Sequence, residues 1–262
     1  MIAIARTLST LALLVLPATA FGQESSAASD RWSLGVGAAV IDSPYAGEGT
    51  RVRPFPLVSY EGDRVFLSGI SGGVHLYELD RLTFDAILAA RLYGFDISDL
   101  GRTELLANGV NPNLLSDRDD GIDAGVRATY RTPLGAIVLE GLRDVSDASD
   151  GYEISLDYRH TWQFDQTAVI ANAGASWMSS RLSNYYFGVL DEEVARGVAA
   201  FSPGSVVVPR IGMSLVRQLG SKWQLLGSIE YEFLPSDLED SPLLEPDSEG
   251  TGRLVLGLNR RF

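Results

Sequence analysis

Residues 151–162 read Gly-Tyr-Glu-Ile-Ser-Leu-Asp-Tyr-Arg-His-Thr-Trp. Tyr152, Ile154, Leu156, Tyr158, His160 and Trp162 share one side of an extended chain, and Glu153, Ser155, Asp157, Arg159 and Thr161 share the other. A period of two marks a β-strand with unlike faces, because successive side chains leave a pleated backbone on opposite sides. Here one face is apolar with rings near both ends, and the other is polar and charged.

The same alternation runs outward in both directions. Trp32, Leu34, Val36, Ala38 and Val40 oppose Ser33, Gly35, Gly37 and Ala39, and Ile122, Ala124, Val126, Ala128 and Tyr130 oppose Asp123, Gly125, Arg127, Thr129 and Arg131. Residues 169–177, 207–215, 223–233 and 254–262 follow suit, and no comparable stretch has helical spacing. Twelve strands are predicted, near 32–41, 51–60, 64–70, 74–79, 82–95, 121–132, 136–145, 151–162, 167–179, 205–219, 222–234 and 251–262. The third and fourth are short. They are alternatively one irregular strand around 69–73, and because eleven strands would break the parity of the loops, ten is the alternative count.

Connections alternate in length. Short ones fall at 61–63, 80–81, 133–135, 163–166 and 220–221, and long ones at 96–120, 180–204 and 235–250. Outer-membrane barrels place short turns in the periplasm and long loops outside. An even strand number puts every long loop on one side. Trp32, Tyr60, Tyr130, Tyr158, Trp162 and Trp223 then fall at periplasmic strand ends, and Tyr152, Trp177, Tyr231 and Phe233 toward the outer ends. Two such belts suit a bilayer, whose headgroup layers attract amphipathic rings. The expected fold is all-β: a transmembrane antiparallel up-and-down β-barrel in the cell outer membrane. A soluble sandwich also alternates, so the belts, the loop asymmetry and an export signal decide between them.

That signal is at the start. Arg6 precedes a short apolar run ending at Leu16, Pro17 breaks it, and Ala18-Thr19-Ala20 fits a cleavage site. Residues 1–20 read as a signal peptide, 21–31 as a flexible polar segment and 32–262 as the barrel. No later segment is long and apolar enough for a transmembrane helix. The formal net charge is −13 with no cysteine, and Lys222 is the only lysine. Such an acidic chain lacks the basic footprint of nucleic-acid binding and has little attraction for anionic lipid. Pro54 and Pro56 fall inside the second strand. Proline cannot donate to a ladder, so a bulge or distorted strand is expected there.

The inner face carries Asp85, Arg91, Asp123, Arg127, Arg131, Glu140, Glu153, Asp157, Arg159, Glu230, Glu232 and Arg253. These residues either line a charged pore or neutralise one another across strands. His75 and His160 are the only histidines, and neither stands in a recognisable nucleophile–base pattern. Asp144, Asp147 and Asp150, and the acids of 237–249, lack EF-hand spacing and read as solvated loops. No catalytic residue, cofactor or metal is expected. Phe262, with Gly257 five positions earlier, fits in part the C-terminal signal read by the outer-membrane assembly machinery.

Several segments carry a resemblance in their order and spacing. They are Pro44-Tyr45-Ala46-Gly47, Pro54-Phe55-Pro56-Leu57-Val58-Ser59-Tyr60, Asp144 followed by Gly151-Tyr152, and Asn184-Tyr185-Tyr186-Phe187-Gly188-Val189. Phe201-Ser202-Pro203-Gly204 and Ser241-Pro242-Leu243 complete the set. The chain resembles the MipA/OmpV family of outer-membrane proteins over nearly all of its length after the signal peptide. The resemblance implies a non-enzymatic scaffold that brings together a murein synthase and a membrane-anchored lytic transglycosylase. Other members are associated with adhesion, osmotic response or antibiotic susceptibility. The family supplies no catalytic residues. The run from Asn184 to Val189 is either a recognition element or a loop packed into the barrel mouth. A periplasmic partner would have to grip short turns, segment 21–31 or the wall. The alternatives to a scaffold are a small-solute channel and a surface adhesion or binding protein using 96–120 and 180–204.

Overall fold

A computed structural model describes residues 31–262. The signal peptide and nearly all of the polar segment lie outside the described residues. The chain forms twelve strands: β1 (Trp32–Asp42), β2 (Thr50–Glu61), β3 (Val65–Ser68), β4 (Ser71–Glu78), β5 (Leu82–Arg91), β6 (Gly121–Thr132), β7 (Gly135–Asp144), β8 (Tyr152–Phe164), β9 (Thr167–Met178), β10 (Val206–Leu219), β11 (Trp223–Phe233) and β12 (Gly250–Arg261). Each pairs antiparallel with its sequence neighbours, and β12 closes on β1 through Gly37↔Gly257. Closure gives backbone groups partners inside the ring, which is what a hydrocarbon environment demands.

The two faces separate as the alternation requires. Val36 is 70% exposed and Val126 59%, and Leu156, Ile154, Leu256 and Ile229 are also exposed on the outside. In water so continuous a greasy belt would cost about 25 cal/mol for each Å². It is stable against lipid. Rings cluster at both rims: Trp32 with Tyr60 (4.7 Å) and His160 with Trp162 (4.5 Å) at the turn end, and Tyr152 with Trp177 (5.5 Å) at the loop end. No helix among the described residues is long and apolar enough to cross a membrane.

Three expectations need correction. The ten-strand alternative fails because Gly69, at φ 57°, lets β3 and β4 form a tight hairpin rather than one strand. The fifth strand stops at Arg91, and 92–95 leave the sheet. Pro54 and Pro56 cause no bulge. The register from Trp32↔Tyr60 to Asp42↔Thr50 is unbroken. Glu61 N–H donates toward β1 and Val58 C=O accepts from Gly69, so even-numbered β2 residues turn their backbone groups away from β1. On that side β3 pairs only with Ser59, Tyr60 and Glu61. Both prolines therefore sit on an edge with no ladder to donate to, which is where proline is tolerated in a sheet.

Candidate functional site

Inside the ring, charges meet across strands. Arg91 contacts Asp123 (2.6 Å) and Glu153 (2.7 Å), and Arg127 contacts Glu140 (2.6 Å). Arg253 contacts Glu230 (3.1 Å). Asp157 reaches over β9 to Arg210 (2.6 and 3.0 Å). Gly174 leaves the room for this, since a Cβ there would lie 2.2 Å from the Asp157 carboxylate. Asp85 bonds His75 Nδ1 (2.7 Å), and Glu61 lies 3.3 Å from its Nε2. Arg131 donates to Thr83 (2.7 Å), while Arg159 and Glu232 occupy the same inner face, half-buried. His160 stands on the outer wall, 2.5 Å from the Leu134 carbonyl. Glycine faces the lumen at position 257, where the Leu57 side chain fills the space in front of it. Phe262 is exposed, and its N–H donates to Trp32 C=O.

Arg210, His75 and Glu61 join the predicted inner set. Arg210 shares its parity with Val206, Val208 and Ser214, all buried, and the alternation would have placed it there.

Above this polar layer the loops assemble a core of their own. It unites Tyr45, Phe95, Leu105, Leu182, Tyr186, Val189, Leu238, Leu243 and Leu244, which come from four separate loops. Short helices build it: α1 (Arg102–Ala107), α2 (Ser180–Phe187), α3 (Asp191–Ala195) and α4 (Ser236–Glu239). Ser179 caps α2 by accepting from Leu182 N–H. Tyr45 hydrogen-bonds the Tyr186 carbonyl, and Asn108 donates to the carbonyls of Pro242 and Leu244. Within the Asn184–Val189 run, Tyr186, Gly188 and Val189 are buried, whereas Asn184, Tyr185 and Phe187 keep part of their surface. Phe187 lies parallel to Tyr45 with ring centroids 6.1 Å apart.

At the centre of this lid, Arg118 and Glu193 form a two-point pair (2.8 and 2.9 Å) with neither side chain exposed. Arg118 places its remaining donors on the carbonyls of Tyr185, Ser116 and Gly188. All five guanidinium N–H groups thus have acceptors. Burial pushes the Glu193 carboxyl up, but Arg118 and the amides of Ser116 and Leu190 more than offset it and hold it below the ordinary range. Beneath the lid a cavity is lined by Ile41, Tyr45, Tyr93, Phe187, Leu238 and Arg253, among others. No helix is predicted in these loops from their spacing. The signal was present in their leucines and valines, but helices of four to eight residues are too short to display a period.

The family model for the MltA-interacting protein MipA matches residues 34–262. The chain belongs to the MipA family. The MltA-interacting protein of Escherichia coli (strain K12) is 29% identical over 258 residues, covering 97% of this chain and 99% of that one. Outer membrane protein Omp26La of Vibrio anguillarum is 24% identical over 222 residues, covering 75% and 86%. Outer membrane protein OmpV of Vibrio cholerae is 27% identical over 175 residues, covering 62% and 68%. With relatives so named and a barrel of this construction, the MipA-family chain is an outer-membrane protein. Its greasy belt is the lipid contact, and its lid and polar lumen are what the barrel adds to a bare wall.

Proposed function

We propose that this protein is a non-enzymatic scaffold that holds murein-synthesising and murein-remodelling enzymes at the inner surface of the outer membrane. The observation that carries the reading is the apolar core that the outer loops build around a buried ion pair. Loops packed in this way over the outer end of the barrel suit a fixed platform better than a wide water-filled pore. The name of the Escherichia coli relative supports a lytic transglycosylase as one partner class. Contact falls to the periplasmic turns, to segment 21–31 or to the wall near the turn end. Before folding, the last strand with Gly257 and Phe262 is what the assembly machinery would recognise.

Crosslinking in intact envelopes followed by purification of the barrel tests this. Murein synthase and lytic transglycosylase should co-purify above the level seen with an unrelated barrel. Their absence, with the barrel abundant, refutes the scaffold.

The charged inner face favours a second reading, a small-solute channel gated by the lid. Planar-bilayer recording separates the two, since a scaffold leaves the membrane silent at high protein load.

A further inference from the structure

Among the described residues, hydrogen-bonded pairing in the wall stops short beside β2. β2 runs the full height beside β1, but on its other side it pairs with β3 only at Ser59, Tyr60 and Glu61. The β3–β4 hairpin turns back at Gly69 and Ile70, where Ile70 C=O accepts from Ala90 N–H. Above that turn no strand among the described residues lies between β2 and the end of β5. This gap occupies the half of the wall nearer the loops, hence the outer leaflet.

Its chemistry is consistent. Pro54 and Pro56 remove two of the donors this edge would leave unpaired, so a foreign strand finds little to pair with. Val52, Pro54 and Pro56 are exposed on its lipid side. What seals it is side chain, not ladder. Leu92, just past the end of β5, packs with Phe55 and Val255 on the cluster of Ala39 and Ile41. Gly37 makes room for the Phe55 ring, since a Cβ there would lie 2.8 Å from it. Directly behind the seal, Ile41 and Tyr93 line the cavity beneath the lid.

We propose that the β2–β5 gap is a lateral portal through which small apolar solutes dissolved in the outer leaflet reach the cavity, with Phe55 and Leu92 as its seal. The loops pack into an apolar core above the cavity, whereas the seal is two apolar side chains that move by rotamer changes. Solutes already dissolved in lipid would reach the cavity without crossing the loops.

The test uses the mature protein in phospholipid vesicles, a small uncharged aryl diazirine that partitions into the bilayer, and mass-spectrometric mapping after illumination. Adducts are expected on Phe55, Leu92, Ile41 and Tyr93, but not on Val138 or Ile170, which face the lumen lower down. Loading the vesicles with toluene should suppress the Ile41 and Tyr93 adducts in the unaltered protein. Leu92→Ala should raise those adducts several-fold, and Leu156→Ala, on fully paired wall, should leave them unchanged. Adducts confined to the outer wall would overturn the portal. So would equal labelling of Ile41 and Tyr93 by a charged diazirine that stays in water, because the route would then be the mouth. If Leu92→Ala does not fold, the toluene competition and the charged probe decide the matter on the unaltered chain.

Discussion

Arg91 on β5 donates to Glu153 on β8 at 2.7 Å although β6 and β7 stand between them. The bond is a chord across the lumen, and Asp123 braces it from β6 at 2.6 Å. All three side chains are largely shielded from solvent. Removing the cation would strand two carboxylates in a poorly solvated interior. Breaking a buried pair from one side typically costs roughly 3–5 kcal/mol. Arg91→Ala should therefore markedly lower the temperature at which the folded band converts to the unfolded one on a detergent gel. An unchanged conversion temperature would show the chord to be idle.

Gly174 allows a second crossing. A methyl there would lie 2.2 Å from Asp157 Oδ1 and 2.5 Å from the Leu156 carbonyl, and the carbonyl cannot yield. Gly174→Ala should destabilise by about 1–3 kcal/mol through overpacking and loss of the Asp157–Arg210 pair. Combined with Arg210→Met the losses should be less than additive, since both act on one contact. Full additivity in a double-mutant cycle would separate the glycine from the pair.

The lid depends on Arg118. Arg118→Ala leaves Glu193 buried without its cation and frees the carbonyls of Tyr185 and Gly188. The loops should loosen while the strands hold. Expected outcomes are protease cleavage within 96–120 and 180–204, and bilayer conductance where the unaltered protein is quiet. Cleavage and conductance matching the unaltered protein would mean the apolar core closes the mouth by itself.

The same pair sets an acid limit. Glu193 titrates below the ordinary range when folded. For an acid so lowered, the stabilisation is complete above the unfolded value of about 4.3 and is lost as pH falls through the folded one. Lid opening, followed by protease sensitivity, should be absent near neutrality and appear in acid below about pH 4. Glu193→Gln should already be loosened at neutral pH, with little further change over that acid range. A variant that tracks the unaltered protein through the acid range would assign the transition to another group.

Pro54 and Pro56 guard the bare edge of β2. Pro54→Val with Pro56→Val keeps the pairing with β1, whose donors come from the odd-numbered positions, and restores two N–H groups facing outward. The variant should fold and show more self-association in detergent by light scattering. Phe55→Pro should instead disrupt the β1–β2 ladder and prevent folding.

What was legible in the sequence follows from the range of the forces involved. Alternation such as Tyr152 to Trp162 is a local property, and it placed the wall, the lumen and the rims. The prolines misled because their fitness depends on where β3 stops, which no spacing within β2 records. The Arg118–Glu193 pair joins residues from different loops, and the helices around it are too short to show periodicity. The inner charges could be assigned to a face but not to partners, because Arg91 passes over its neighbours and Asp157 reaches Arg210 across Gly174.

The union of β1 with β12 through Gly37 and Gly257 bears on biogenesis. A cylinder joined between its first and last staves has no stable half-built form, because any shorter piece carries two raw margins. Translocation must therefore deliver the final stave before lipid insertion is complete, and a chaperone has to shield both margins in the interval.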